Sequence, residues 1–417
     1  MPDTSYPRHA EARLRESLAD SPVVLIQGPR QCGKTTLAQT VGLASGYEYI
    51  SFDDRAVCNA AEADPGGFVD ALPPRVVLDE AQKAPGIFSA VKLSVDRERT
   101  PGRFILTGSV NVLQVRAITD SLAGRMDIIE LHPFSQCELA RAKPGFLDAL
   151  FSSRFRMRRP KTTPQQTMER VAAGGYPAAL QRAGARQRAW YQSYIDTLVQ
   201  HDVPGIANIR APEILLRLLT LAAAQTAQLL SVNNLSSSFQ ISRNTVESYL
   251  ALLAKMFLLE RVPAWHGNRK KRLIKTPKLH LGDTGVACAL LNLSPAALAS
   301  DAARFGHMLE TFVLQELRRQ ASAHPSPHRF FHYREKDGKE VDIVVERDAF
   351  RLAGVEVKAS ATVGDRDFRG LRALKAAAGR HFAGGALLYR GARVLSFGDG
   401  MHAVPLRALW DARDSGT

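Results

Sequence analysis

The chain has 417 residues, 45% hydrophobic and 23% charged, an ordinary globular composition on a length that calls for several cores, and this excludes a mainly disordered polypeptide. Its 55 Lys and Arg against 41 Asp and Glu give a net charge of +14, which suits an anionic partner such as DNA or RNA and equally suits a solvated basic surface. No apolar run reaches the ~18 residues of a membrane helix; the longest, residues 215–232, is broken by Arg217, Gln225 and Gln228, so no membrane attachment is expected.

The first twenty residues mix acids, arginines and short apolar pieces without the apolar h-region of a signal peptide, which makes the cytoplasm the expected compartment. Cys32, Cys58, Cys137 and Cys288 show no CxxC spacing and no histidines at zinc-finger intervals, so all four read as reduced thiols.

From residue 22 to about 138, short β-branched runs (23–26, 76–78, 104–106) alternate with amphipathic stretches, the pattern of an α/β domain. After the first run, Gly28, Pro29, Arg30, Gln31, Cys32, Gly33, Lys34, Thr35 and Thr36 match GxxxxGK[ST] and lead into an apolar helix. The glycines let backbone N–H groups curl around phosphates, Lys34 reaches the β- and γ-phosphates, and the Thr35 hydroxyl ligates Mg²⁺. ATP and Mg²⁺ are therefore the expected ligands.

The second run ends in Asp79 and Glu80. Asp79 is placed to hold the Mg²⁺ shell, and Glu80 to orient or deprotonate the attacking water. An N-cap pair for the following helix is the alternative. The third run ends in Thr107-Gly108-Ser109-Val110-Asn111, and Thr107 or Ser109 is the expected γ-phosphate sensor at the sheet's carboxyl edge. Arg125 follows a small turn and could bring positive charge to a transferring phosphate in its own subunit or a neighbour's; a plain surface arginine explains it as well. A homo-oligomer is the context in which the neighbour role would operate.

Residues 154–163 carry Arg154, Arg156, Arg158, Arg159 and Lys161 beside Pro160, and read as a basic linker. Residues 165–291 show apolar spacing of helical period. Within them, 232–239 and a helix capped by Ser242 flank a polar turn, a helix–turn–helix pattern in which Arg243 and Asn244 open the recognition helix. Strands at 258–262 and 278–281 would form a wing, joined by a basic loop containing Arg269, Lys270, Lys271 and Arg272 that suits phosphate contact, so DNA is the expected partner. A lid or protein contact is the competing use of such a domain.

In the last third, a helix over 305–320 carries Glu310, and strands at 330–333, 341–345, 354–357 and 385–389 follow. Asp342 lies on one strand; Glu356 and Lys358, two apart, share a face of the next. A returning hairpin would bring Asp342 to that face, with Glu310 as a third acid. Asp342 and Glu356 are the expected metal ligands, and Lys358 would polarise the attacking water. A charged surface strand would show the same letters.

The Gly28–Thr36 loop, the Leu78-Asp79-Glu80-Ala81-Gln82 strand end and the Thr107-Gly108-Ser109 sensor resemble those of bacterial and archaeal AAA-type ATPases in which a P-loop domain precedes a carboxy-terminal domain of unknown function. Gly174-Gly175-Tyr176-Pro177, residues 194–203 around Asp202, and Leu281-Gly282-Asp283-Thr284-Gly285 look like that family's later landmarks, so the resemblance covers nearly the whole chain. Val110-Asn111 departs from it, since a second serine is common there. The leading helix with Glu310, the hairpin with Asp342 and the Glu356/Lys358 pair resemble the PD-(D/E)xK nuclease fold, which implies a nuclease-like last domain.

The expected fold is thus an α/β multidomain one: a P-loop NTPase parallel sheet (1–153), a basic linker and helical lid (154–205), a winged helix–turn–helix (206–295) and an α/β restriction-endonuclease-like domain (296–417). The leading functional expectation is an ATP-hydrolysing enzyme acting on DNA. A nucleotide-operated switch whose last domain binds without cutting is the alternative, and a small-molecule kinase is disfavoured by the missing acceptor site.

Overall fold

The computed structural model describes residues 6–109, 122, 124–155, 164–203, 212–268, 272, 275–335, 337–348 and 351–410. The expectations placed on Val110 and Asn111, most of the 154–163 linker, residues 204–205 and Arg269 to Lys271 lie outside these. The chain divides into two compact units: Met1–Phe134 with the short stretches Lys255–Phe257 and Ser322–Pro325, and Ser135–Ala254, Leu258–Ala321 and Ser326–Thr417.

In the first unit, strands β1 (Val23–Gln27), β2 (Glu48–Ser51), β3 (Val76–Asp79), β4 (Phe104–Gly108) and β5 (Met126–Glu130) form one sheet in the order β2-β3-β4-β1-β5. Every pairing in it is parallel. Parallel strands are joined by crossovers that cover both faces, so the strands must be apolar on both sides. Accordingly Val23, Leu25, Val76, Leu78, Phe104 and Leu106 enter one core with Ile87, Phe88, Val91 and Val95 of the helix Gly86–Arg97. The alternate residues Val24, Ile26, Val77 and Ile105 enter a second core with Leu14 of the helix Ala10–Asp20 and Leu37 and Val41 of the helix Lys34–Ala44. Strands β2 and β5 carry no strong apolar run and escape sequence reading; each is recruited by its neighbour's backbone.

The second unit holds two sheets. β6 (Gln228–Leu229), β7 (Leu259–Val262) and β8 (Lys278–Leu281) form a small antiparallel sheet ordered β6-β8-β7. In chain order its elements run helix Pro212–Ala224, β6, helix Val232–Phe239, helix Arg243–Lys255, β7, β8. Ser242 caps the last of these helices, accepting a hydrogen bond from Thr245 N at 3.1 Å. The six-stranded sheet, ordered β13-β14-β12-β11-β10-β9, contains β9 (His328–Arg334), β10 (Glu340–Arg347), β11 (Arg351–Val357), β12 (Phe382–Tyr389), β13 (Leu395–Ser396) and β14 (Met401–Pro405). β9, β10 and β11 meander antiparallel, then the helix Arg369–Ala378 crosses over to β12, parallel to β11.

The register of β10 against β9 slips between Val341 and Val344. A bulge of this kind breaks the alternation of side chains. It lets Val341 and Val344 both enter the core formed with Phe368, Leu371, Leu374 and Leu387.

One expected boundary moves. The helix Phe146–Ser152, assigned by sequence to a first domain ending at 153, belongs to the second unit. There the Phe151 ring lies under the Arg347 guanidinium at 4.3 Å, and Ser153 Oγ donates to Ala383 O at 3.2 Å. Apolar helices do not announce which sheet they cover, and this one covers β11 and β12.

Candidate functional site

The loop after β1 is a cradle for phosphate. Gly33 sits at φ 99°, and a Cβ on Gly28 would lie 2.0 Å from Leu131 O, so the backbone passes where only glycine fits. Lys34, buried, donates from Nζ to Gly28 O at 3.1 Å and Pro29 O at 2.9 Å, which holds its ammonium across the loop. Arg8 fixes the loop from behind: its guanidinium donates to Cys32 O at 2.7 Å and His132 O at 2.6 Å and lies over the Phe134 ring. Pro29 and Cys32 are buried here, Thr36 is exposed, and burial pushes the Cys32 thiol up, which suits a packing role. Arg30 and Gln31 are exposed, Gln31 in the left-handed region at φ 62°.

Thr35 Oγ1 donates to both carboxylate oxygens of Asp79, at 2.9 and 3.1 Å. Tyr49 OH on β2 donates to Asp79 Oδ2 at 2.8 Å, and burial with this carboxylate pushes its phenol up to about 12. Glu80 follows in a left-handed conformation, φ 55° and ψ 40°, a region that a residue bearing a Cβ enters at some cost. Its Oε2 accepts from Ser109 Oγ at 3.2 Å and from Gln82 Nε2, and Gln82 Nε2 also reaches Ser109 Oγ at 3.2 Å. Glu80 caps no helix with its side chain.

The structure places the other residues expected at this edge of the sheet and corrects one of them, Arg125. Thr107 is fully buried, donates to Asp79 Oδ1 at 2.5 Å and accepts from Glu80 N at 3.0 Å. Its hydroxyl braces the two acids, and half-buried Ser109 hydrogen-bonds the Glu80 carboxylate. Arg125 directly precedes β5, whose Met126 pairs with Val23 while its Glu130 pairs with Gln27. It therefore stands at the amino edge of the sheet, about 13 Å of strand away from the loop. There it binds Asp96 at 2.5 and 3.1 Å, so it does not serve its own subunit's phosphates.

The second unit gathers the other predicted residues. Asp342 on β10 accepts from Val357 N through Oδ2 at 2.9 Å, and Lys358 Nζ donates to Glu356 Oε1 at 3.0 Å. The hairpin thus does bring Asp342 to the Glu356 strand. Between Glu310 and Asp342 lies Lys278 of β8, a residue that sequence reading treated only as part of a strand: its Nζ is 2.9 Å from Glu310 Oε1 and 3.3 Å from Asp342 Oδ1. Lys278, Glu310, Asp342 and Glu356 are all buried. Burial opposes the charge on Lys278, but the Glu310 and Asp342 carboxylates outweigh it and hold its pKa above the usual lysine value. Burial, then Asp342, pushes Glu356 up to about 8. Beside them His280 Nε2 is 3.8 Å from Glu310 Oε1, with its pKa driven well down by burial and by Lys278.

Elsewhere in this unit two of the three landmarks, residues 174–177 and 281–285, meet at Asp283. Its carboxylate accepts from Gly175 N at 2.9 Å, Gly285 N at 2.8 Å and Arg319 Nη2 at 2.8 Å, with Tyr191 OH at 3.4 Å. A buried charge answered by this many donors is a structural knot. Arg319 also reaches Glu316 at 3.3 Å, whose Oε2 accepts from Gln136 N at 2.8 Å.

A protein-family model described as an AAA domain matches residues 20–140, the span of the parallel sheet and both Walker elements. The chain carries an AAA-type P-loop domain. Models described as Domain of unknown function (DUF8612) and Domain of unknown function (DUF4143) match residues 164–297 and 305–409. The uncharacterized proteins Rv2008c of Mycobacterium tuberculosis and Mb2031c of Mycobacterium bovis are each 29% identical over 357 residues, covering 85% of this chain and 74% of theirs. Among solved structures, the Walker-type ATPase PABY2304 of Pyrococcus abyssi is 17% identical, covering 70% of this chain and 97% of that one, at a TM-score of 0.46. The RuvB Holliday junction branch migration motor of Thermotoga maritima is 16% identical, covering 62% and 90%, at 0.29.

In the AAA domain the residues fit Mg²⁺ with a nucleotide: the Thr35 hydroxyl and the Asp79 carboxylate already converge, and the buried Lys34 ammonium lies on the same loop. The expected metal ligands Asp342 and Glu356 fit one poorly. Among the described residues no three or more His, Cys, Asp or Glu side chains gather into a set able to hold a metal ion, and Lys278 holds the space between Glu310 and Asp342. Its signal in the sequence was present but faint: in Lys278-Leu279-His280-Leu281 a lysine and a histidine alternate with leucines, and all four are buried. Among the described residues no helix is long and apolar enough to cross a membrane.

Proposed function

We propose that the AAA domain binds and hydrolyses ATP, and that its nucleotide state operates a DNA-binding second unit whose last domain is nuclease-like. The observation that carries the ATPase reading is Glu80, strained, anchored by Gln82 and Ser109, and adjacent in sequence to the Thr35–Asp79 pair. Lys34 binds the phosphates, Thr35 and Asp79 hold the cation, and Glu80 orients the attacking water and accepts its proton. When bound, Mg²⁺ neutralises charge on the β- and γ-phosphates. A binder that did not hydrolyse would have no use for so fixed a carboxylate.

DNA as partner is supported by the helix–strand–helix–helix–strand–strand order of residues 212–281, the order of a winged helix, and by Ser242, Arg243 and Asn244, all exposed at the start of the second helix of the pair. The nuclease-like reading is supported by the helix Ala302–Ser322, the β9-β10-β11 meander, the crossover helix and the parallel β12.

The test is turnover of Mg²⁺-ATP and nucleotide binding by wild type and Lys34→Ala. The variant should lose ATP binding and turnover together. A Lys34→Ala chain that binds ATP as tightly as wild type would remove the loop from its role.

A further inference from the structure

We infer that the Lys278 ammonium is a resident cation, occupying the place between Glu310 and Asp342 that a divalent metal would take in a nuclease-like domain, so that this domain keeps its carboxylates without using them to cut. The inference rests on the nuclease-like reading of residues 296–417 and is independent of the ATPase reading.

Three observations carry it. The first is position: Nζ lies 2.9 Å from Glu310 Oε1 and 3.3 Å from Asp342 Oδ1, on a side chain only 5% exposed. The second is that most of the surrounding carboxylate oxygens are already engaged, Glu356 Oε2 being buried without a hydrogen-bond partner among the described residues. Asp342 Oδ1 accepts from Lys278 and Oδ2 from Val357 N, while Glu356 Oε1 accepts from Lys358. A small divalent cation needs about six oxygens in a tight octahedron, and it would have to displace both an ammonium and a backbone donor. The third is charge. A divalent ion and an ammonium a few Å apart in a buried site repel strongly, so the two exclude each other. Lys278 comes from β8, outside the meander that supplies Asp342 and Glu356, and its strand is anchored by pairing with both β6 and β7. It is built in rather than folded over from a loop.

Removing the lysine should free Glu310 and Asp342 to close around a cation, because these carboxylates, which gather no metal-holding set while the ammonium lies between them, would remain beside Glu356 and His280, whose Nε2 has no hydrogen-bond partner among the described residues.

Binding of Mn²⁺ to the full chain, without nucleotide, can be followed by the paramagnetic resonance of the free ion for wild type, Asp342→Asn, Lys278→Ala and the double variant. Wild type should take up no Mn²⁺ that depends on Asp342, Lys278→Ala should gain a single Mn²⁺, and adding Asp342→Asn should abolish it. ATP turnover and circular dichroism report folding of each variant separately from the metal readout. Uptake by wild type that Asp342→Asn removes would overturn the inference, as would a folded Lys278→Ala chain that gains none. If Lys278→Ala does not fold, the comparison of wild type with Asp342→Asn still decides, joined by incubation of wild type with supercoiled DNA in Mg²⁺ or Mn²⁺. Cutting that disappears in Lys358→Ala would overturn the inference.

Discussion

Glu80 owes its aim to two neighbours, Gln82 and Ser109, which share hydrogen bonds with its carboxylate and with each other. Gln82→Ala should leave ATP affinity unchanged and lower kcat about tenfold, because a correctly oriented base contributes through geometry as well as basicity; steady-state kinetics separating kcat from KM checks this, and an unchanged kcat would reduce Gln82 to packing. Glu316 gives a second test. Buried beside Arg319, it is pushed up to about 7, chiefly by burial. An acid whose folded pKa exceeds its unfolded value of about 4.5 binds more protons when folded, so its contribution to stability falls as pH rises from about 4.5 to 7 and stays lost above that. Buried His280 and His332 titrate in the opposite sense, both depressed by burial, so the informative quantity is the difference between profiles. Relative to wild type, Glu316→Gln should gain Tm at pH 8 over pH 5 in thermal melts, and parallel profiles would contradict the assignment.

At the scale of elements, the three buried runs β1, β3 and β4 were legible because parallel strands covered on both faces must be apolar throughout. The motifs at their carboxyl ends were legible for the same reason, since each follows a readable strand. β2 and β5 were not, as edge strands with polar faces look like loops. The helix pair around Ser242 was legible from its cap, and it yields a prediction. Arg243 is exposed and opens the second helix. Arg243→Ala should weaken DNA binding across sequences and lower the slope of log K against log salt by about one, the signature of a lost phosphate contact. Titrations at several salt concentrations measure this, and an unchanged slope would turn the helix pair toward a protein partner. In the last sheet, Leu371 of the crossover helix is fully buried against Val341 and Leu387. Leu371→Ala should cost about 2–5 kcal/mol of unfolding free energy, read by chemical denaturation.

Across the whole chain, composition and charge bounded the answer without choosing it: +14 suits DNA and also suits an ordinary basic surface. What linear reading recovered best was chemistry compressed into a short motif, as at Gly28–Thr36 and Asp79–Glu80. What it missed was the lysine that a distant segment brings in: Glu310 and Asp342, already grouped with Glu356, lie 32 and 64 positions beyond Lys278, and no local pattern links that lysine to them. The own-subunit phosphate role of Arg125 failed for the complementary reason, because its letters sit beside a turn but its place on the sheet is the opposite edge from the loop. The central claim, that this AAA domain hydrolyses ATP through Glu80, is tested most directly by single-turnover hydrolysis with wild type and Glu80→Gln in Mg²⁺. The variant should bind ATP as wild type does and turn it over at least about a hundredfold more slowly; hydrolysis at the wild-type rate would contradict the account.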